Sequence, residues 1–276
     1  MTAVAEAVTG GLIGGRLWLY ANYHCNLTCT YCLTESSPTV ARRQLPVDGL
    51  PEIAAEARAT GFTALGVTGG EPFLVPGMAG ALVAMAEELP TVVLSNGTLF
   101  TPRLLADMNA LAGRDFAVQV SLDSADPDAN DEMRGPRNFA KVVDAIPRLR
   151  EQGIRVRIAT TGEAIEPDAL ARLCELHRSL GVDDEDHVVR PIVRRGRAVD
   201  HGLGIDAGLG DLPAELTITA DGAFWSPFGP TVHGGRLDTD LLVTRTTRPL
   251  SIPAEAMLRI AGAAPPRSAS EPPLVR

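Results

Sequence analysis

The sequence predicts an α/β fold: a partial (βα)6 TIM-like barrel with a short C-terminal hairpin and helix extension. Three observations carry this expectation. Six short β-branched or apolar runs each lead into a longer segment of helical period. Such alternation implies parallel strands joined by right-handed crossovers. The 276 residues suit one barrel, a fold that takes about 250.

The elements follow in order. Residues 16–23 (RLWLYANY) read as the first strand. Residues 46–60 (PVDGLPEIAAEARAT) read as a helix that Gly61 ends. The second strand is 64–68 and its helix 75–89; the third strand is 91–94. The next helix, 101–112, opens on Thr101-Pro102, a cap followed by a residue preset for the first turn. Residues 116–122 form the fourth strand with helix 139–152, and 154–160 the fifth with helix 167–180. The sixth strand is 187–193. Beyond it, the glycine-rich stretch 194–212 reads as a linker or lid. Residues 215–220 and 222–225 are set to pair around the Asp221-Gly222 turn, and 253–261 form a short helix. This divides the chain into a core barrel (14–200), a lid-like extension (201–262) and a loose, Pro- and Ser-rich tail (263–276).

Hydrophobic residues make up 45% and charged residues 21%, which excludes a disordered chain. No apolar run approaches the roughly 20 residues that span a bilayer, so no membrane role is expected. The N-terminal segment lacks the basic and apolar regions of a signal peptide, and a cytoplasmic location is expected. The formal net charge of −9 argues against general nucleic-acid binding, which needs a basic surface. Lys141 is the only lysine, so nearly all positive charge is arginine.

Three of four cysteines, Cys25, Cys29 and Cys32, fall in one loop, NYHCNLTCTYCLTES, directly after the first strand. In a chain without export signals such a cluster points to a metal or iron–sulfur site, not a disulfide. The spacing C-x3-C-x2-C lets three thiolates wrap one face of a cubane and leaves one of four irons open. A structural site would close its coordination with a fourth ligand; a zinc loop completed by His24 is the alternative. The carboxyl end of a barrel strand is where barrel enzymes carry their chemistry.

These cysteines, with Tyr31 before the last of them, resemble the signature of the radical S-adenosylmethionine (radical SAM) superfamily. The resemblance implies a partial (βα)6 barrel and one [4Fe–4S] cluster held by Cys25, Cys29 and Cys32. It implies that the open iron binds the amino and carboxylate groups of SAM, that the cluster's electron cleaves SAM to a 5′-deoxyadenosyl radical, and that Tyr31 lies against the adenine. The competing class is a non-catalytic iron–sulfur or zinc-binding regulator.

Further motifs fit the same resemblance. The second strand ends in Gly69-Gly70-Glu71, similar to the family's GGE motif that contacts the SAM amino group, though GGEP is also a good turn. The third ends in Ser95-Asn96, which face the barrel mouth or make a turn. On the fourth, Ser121 and Asp123 share a face; Ser121 is expected near SAM, and Asp123 near SAM or substrate. Arg134 can pair bidentately with the SAM carboxylate, or stand on a solvated loop. Val189 on the sixth strand packs on the adenine or in the core. Arg190, Arg194, Arg195 and Arg197 form a basic run that binds a substrate anion or is solvated.

Cys174 reads as a buried packing thiol and His177 as a surface residue of the same helix. The segment 216–242 is similar to SPASM or twitch extensions but carries no cysteine, so a single cluster is expected. Trp225 and Phe228 within it are expected to line a pocket or pack a lid, and Asp221, His233 and, just beyond it, Arg245 are candidate polar contacts. The reading is an enzyme that takes its electron from a donor such as flavodoxin or ferredoxin. Its substrate is a peptide or a small molecule, and no particular catalytic residue beyond the cofactor ligands is legible.

Overall fold

A computed structural model describes residues 1–163 and 165–263. The rest of the expected tail, 264–276, lies outside the described residues. The strands are β1 (Arg16–Tyr20), β2 (Ala64–Thr68), β3 (Thr91–Ser95), β4 (Phe116–Ser121), β5 (Arg155–Gly162), β6 (His187–Pro191), β7 (Thr217–Thr219), β8 (Gly222–Phe224), β9 (Val232–His233), β10 (Arg236–Leu237) and β11 (Leu242–Thr244). The helices are α1 (Ala3–Thr9), α2 (Leu50–Thr60), α3 (Met78–Glu88), α4 (Pro102–Asp107), α5 (Pro127–Arg134), α6 (Asn138–Glu151), α7 (Pro167–Ser179), α8 (Arg197–Asp200) and α9 (Ser251–Ala263).

Strands β1 to β6 pair in parallel in sequence order, as the βα alternation predicts. Each strand alternates two faces. One face, with Leu17, Leu19, Leu65, Val67, Val93, Val118 and Ile158, packs with Ile53, Leu82, Met85, Ile146 and Leu149 of the helices. The other face lines the barrel, where Trp18, Val92 and Ala117 cluster. Trp18 crosses Gly66, whose Cβ, if present, would lie 2.3 Å from the indole.

The extension continues the sheet. The β7–β8 hairpin forms around Asp221-Gly222, β7 pairs parallel to β1 and β11 pairs with β8. The result is a nine-stranded sheet in the order β11-β8-β7-β1-β2-β3-β4-β5-β6. Trp225 is buried in the main core and Phe228 packs against it.

Three helices were not expected: α1, α5 and α8, the last within the stretch read as a linker or lid. α1 caps itself with Thr2, whose hydroxyl accepts from the Ala5 amide. α5 buries Asn130 and Arg134, a polar face that gives no apolar period. Gly61 does end α2 in the left-handed region, and Thr101 does cap α4.

Candidate functional site: a three-thiol cleft at the strand ends

The carboxyl ends of β1 to β5 meet one loop. Cys25, Cys29, Cys32 and Tyr31 line a cleft together with Gly69, Gly70, Ser95, Asn96, Ser121 and Arg134. The Leu27 amide donates to Cys25 Sγ at 3.4 Å, and the Ser36 amide to Cys32 Sγ at 3.3 Å. Asn96 Nδ2 donates to Cys25 Sγ at 3.5 Å, and the Cys29 thiol reaches the Arg134 carbonyl at 3.7 Å.

Among the described residues, the trio of metal-binding side chains whose ligand atoms all lie within 4.8 Å is Glu35, Asp200 and His233. The three thiols are spread wider than that. A single tetrahedral zinc holds sulfurs about 3.8 Å apart, given Zn–S bonds of about 2.3 Å. That spread is wider than the sulfur spacing of one tetrahedral zinc site.

Gly69 and Gly70 press the end of β2 against this loop. A Cβ on Gly70 would lie 2.1 Å from the His24 carbonyl oxygen, and one on Gly69 2.4 Å from that of Asn22. Asn22 Nδ2 donates to the carbonyls of Glu71 at 2.9 Å and His24 at 3.1 Å. The Glu71 side chain is fully buried and faces β3, not the cleft. It accepts from the amides of Asn96 at 2.8 Å and Phe73 at 3.1 Å, and from Ser95 Oγ at 3.1 Å. Burial pushes its carboxyl up to about 7 against these donors. Glu71 thus staples β2 to β3, and Ser95 serves it.

Tyr31, Asp123 and Arg134 form a buried triad. Arg134 Nη1 donates to Asp123 Oδ2 at 3.1 Å and also to the Tyr31 hydroxyl. Tyr31 donates to the same Oδ2 at 2.5 Å. Asp123 Oδ1 accepts from the Thr161 amide at 2.8 Å. The ion pair is 5% and 0% exposed, and Arg134 Nε is buried with no acceptor. Arg134 ends α5; it does not stand on a solvated loop.

Val189 stands apart from the cleft. It is 44% exposed and pairs with Thr160, on the β6 face that carries His187 away from the barrel. That face packs on α7, where His177 is wholly buried, its ring 4.3 Å from that of His187. The expected surface position of His177 is thus corrected. Cys174 is only half-buried, 3.9 Å from His187 Nδ1.

Sequence reasoning missed the clamp on the loop. Arg197 Nη1 donates to the Cys29 carbonyl at 2.6 Å and Nη2 to that of Ser36 at 3.0 Å, while its amide donates to the Cys32 carbonyl at 3.0 Å. A Cβ on Gly196 would lie 2.2 Å from the Leu33 carbonyl oxygen. Within the basic run, Arg194 pairs with Asp206 and Arg195 with Asp240. Asp221 pairs with Arg43, Arg245 donates to the Asp221 carbonyl, and His233 approaches Glu35 at 3.2 Å.

A parallel partial barrel with three thiols gathered at the carboxyl ends of its strands defines a class of barrel proteins built around a metal–sulfur centre. Comparison with known proteins narrows the class. The family model described as the radical SAM superfamily matches residues 20–176, more than half of the chain. The chain belongs to the radical SAM superfamily, a superfamily of enzymes.

An AdoMet-dependent heme synthase of Methanosarcina barkeri is 29% identical over 159 residues, 57% of this chain and 45% of that protein. A GTP 3′,8-cyclase of Chlorobaculum tepidum is 35% identical over 129 residues, 45% of this chain and 38% of that one. The mycofactocin maturase MftC of Mycolicibacterium smegmatis is 30% identical over 150 residues, 52% and 37%. The chain spans less than half the length of these relatives.

Among solved structures, anSMEcpe with bound AdoMet superposes with a TM-score of 0.61 at 13% identity, covering 90% of this chain and 77% of that one. Streptococcus suis SuiB bound to its precursor peptide SuiA gives 0.60 at 18% identity, covering 75% and 46%. These likenesses establish the fold.

Members of the superfamily use a [4Fe–4S] cluster and SAM, and the residues present fit both. Burial pushes the Cys25 thiol up to about 12, and the Cys29 thiol is pushed up by the same cause. Three thiolates in this cleft need strong positive charge beside them, and iron supplies it. The orphaned Arg134 Nε is a donor left for an anionic or polar guest.

Proposed function

We propose that this chain acts on a peptide or small-molecule substrate in cofactor or natural-product biosynthesis, by removing a hydrogen atom from it. The cluster and SAM, when bound, supply the 5′-deoxyadenosyl radical that does this. The observation that carries the reading is the cleft itself, where three spread thiols, the Gly69–Glu71 turn and the Tyr31–Asp123–Arg134 triad come together.

In this reading Cys25, Cys29 and Cys32 bind the cluster. The backbone of Gly69, Gly70 and Glu71, with Ser121, Asn96 and Tyr31, positions SAM. Arg134 offers its free Nε toward the SAM carboxylate while Asp123 keeps the guanidinium in place. Ser95 and Glu71 act behind these groups by fixing the β2 and β3 ends. Val189 is not included. The barrel walls shield the reacting centre from water and side reactions. The electron comes from a flavodoxin- or ferredoxin-type donor, and the setting is the cytoplasm; no helix among the described residues is long and apolar enough to cross a membrane.

Both substrate classes have support. The similar heme synthase and GTP cyclase are named for small molecules, and the similar SuiB structure carries a precursor peptide. The test is anaerobic reconstitution with iron and sulfide, then SAM and dithionite, with 5′-deoxyadenosine as the readout. Formation in the wild type and its loss in Cys29→Ala are expected. About four irons per chain with no 5′-deoxyadenosine would favour the regulator instead. Zinc in anaerobically purified protein would overturn the cluster.

A further inference from the structure

The far end of the barrel gathers arginine side chains whose hydrogen-bonding capacity is only partly used. Arg16 opens β1 two residues before Trp18, on the same face. Arg157 of β5 pairs in register with Gln119, and Arg190 of β6 with Thr161, so both also face the interior. Arg16 Nε and Arg190 Nε are buried and meet no acceptor. Among the described residues neither side chain has an ion pair or a hydrogen bond. The Arg16 guanidinium instead lies 5.4 Å from the Trp18 ring centre.

The carboxylates nearby make their hydrogen bonds to other donors, while their charges still face the cluster. Asp186 accepts from Arg155 Nε at 2.9 and 3.0 Å and meets Arg157 only at 3.6 Å. Glu215 accepts from the Trp18 indole at 2.5 Å. Burial lowers Arg190 to about 10, with Arg157 the next cause and Arg16 a further one, while Glu215 opposes them. Arg190 still holds its proton at neutral pH, so the charge persists. Buried donors without acceptors are costly, and here two of them gather in a chain whose formal net charge is −9.

There is also room for a guest. A cavity of about 340 Å3 opens at the amino ends of the strands, with Arg16, Arg155 and Arg157 on its walls beside Asp115, Glu185 and Asp186. Val92 and Ala117 of the apolar cluster also line this cavity, and Trp18 packs against them.

We propose that this end of the barrel is an anion-binding site, in which Arg16 and Arg157 on the cavity wall hold the phosphate or carboxylate of a small metabolite and Arg190, facing the same interior, adds its charge. The site is separate from the thiol cleft and stands whether or not the radical chemistry does. Planar, permanently charged guanidinium groups suit such oxyanions.

The test uses reconstituted protein at constant ionic strength, with chloride exchanged for inorganic phosphate in one arm and succinate in the other. A saturable rise in Tm of about 3 °C or more is expected in at least one arm, which also tells phosphate from carboxylate. Arg190→Met should melt higher than wild type without the anion, because it removes an unpaired charge, and should lose the rise. Arg16→Gln, with unchanged iron content, should weaken it. Intrinsic fluorescence should shift with the same midpoint, since Trp18 touches Arg16. An equal rise in Arg190→Met, or none in either arm, would overturn the proposal.

Discussion

Arg197 donates through Nη1 to the carbonyl oxygen of Cys29 at 2.6 Å, across 168 residues of chain. The middle cysteine of the loop is thereby held by a short helix that follows the sixth strand. Its second nitrogen holds Ser36 at the far end of the same loop. One guanidinium spans both sides of the thiol cleft, with the fork geometry that a lysine lacks.

Arg197→Met should therefore loosen the loop without altering a cysteine. Charged hydrogen bonds of this kind contribute about 1.5–3 kcal/mol. Iron should incorporate less completely, and a chelator should remove it about tenfold faster or more. Arg197→Lys should recover only part of this. Unchanged chelation kinetics in the methionine variant would show that the clamp does not matter.

The pair Asp123 and Arg134 is almost wholly buried. Asp123→Asn leaves a buried guanidinium without its counter-charge, at a cost of about 3–5 kcal/mol. Removing both charges, as Asp123→Asn with Arg134→Met, should recover much of that loss. Urea unfolding of the two single variants and the double variant measures the coupling; additive losses would contradict it.

Glu71 predicts a pH dependence. Its carboxyl rises from 4.5 to about 7 on folding, so the folded chain holds this proton more tightly than the unfolded one. Its contribution is fully present below pH 4.5 and is lost as the pH rises through about 7. The loss is about 3 kcal/mol. In iron-free protein, the stability of wild type relative to Glu71→Gln should fall by that order between pH 4.5 and pH 8. A pH-independent difference would place the carboxyl near its ordinary value.

Gly70→Ala should damage the cleft by sterics alone. Its Cβ would sit 2.1 Å from backbone at His24, which cannot swing away as a side chain tip can. Overpacking of this kind costs about 1–3 kcal/mol or more. Lower Tm and poor iron uptake are expected, whereas Gly80→Ala, which meets nothing within 4 Å, should be neutral.

Much of the molecule was legible because its signals are local. The cysteine spacing, the Gly69–Glu71 turn and the βα alternation each lie within a short stretch of chain, where residue type and period carry the information. The misses share the opposite property. α5 buries Asn130 and Arg134, and polar burial leaves no apolar period. His177 looked like a surface residue on α7 until the position of β6 placed His187 over it. Val189 is apolar and lies on the expected strand, but strand register turned it outward.

By itself, then, the sequence determined the class of site: three thiols on one loop at the end of the first strand of a parallel barrel. Spacing alone brings those sulfurs together, because the chain between them is too short to separate them. Tertiary structure alone decided what stands behind that loop. It set Arg197 on Cys29, Asp123 on Arg134, Glu71 between β2 and β3, and β7 on the free edge of β1. Such contacts join residues distant in the chain, and their partners are chosen by packing and by the demand that buried polar groups be satisfied.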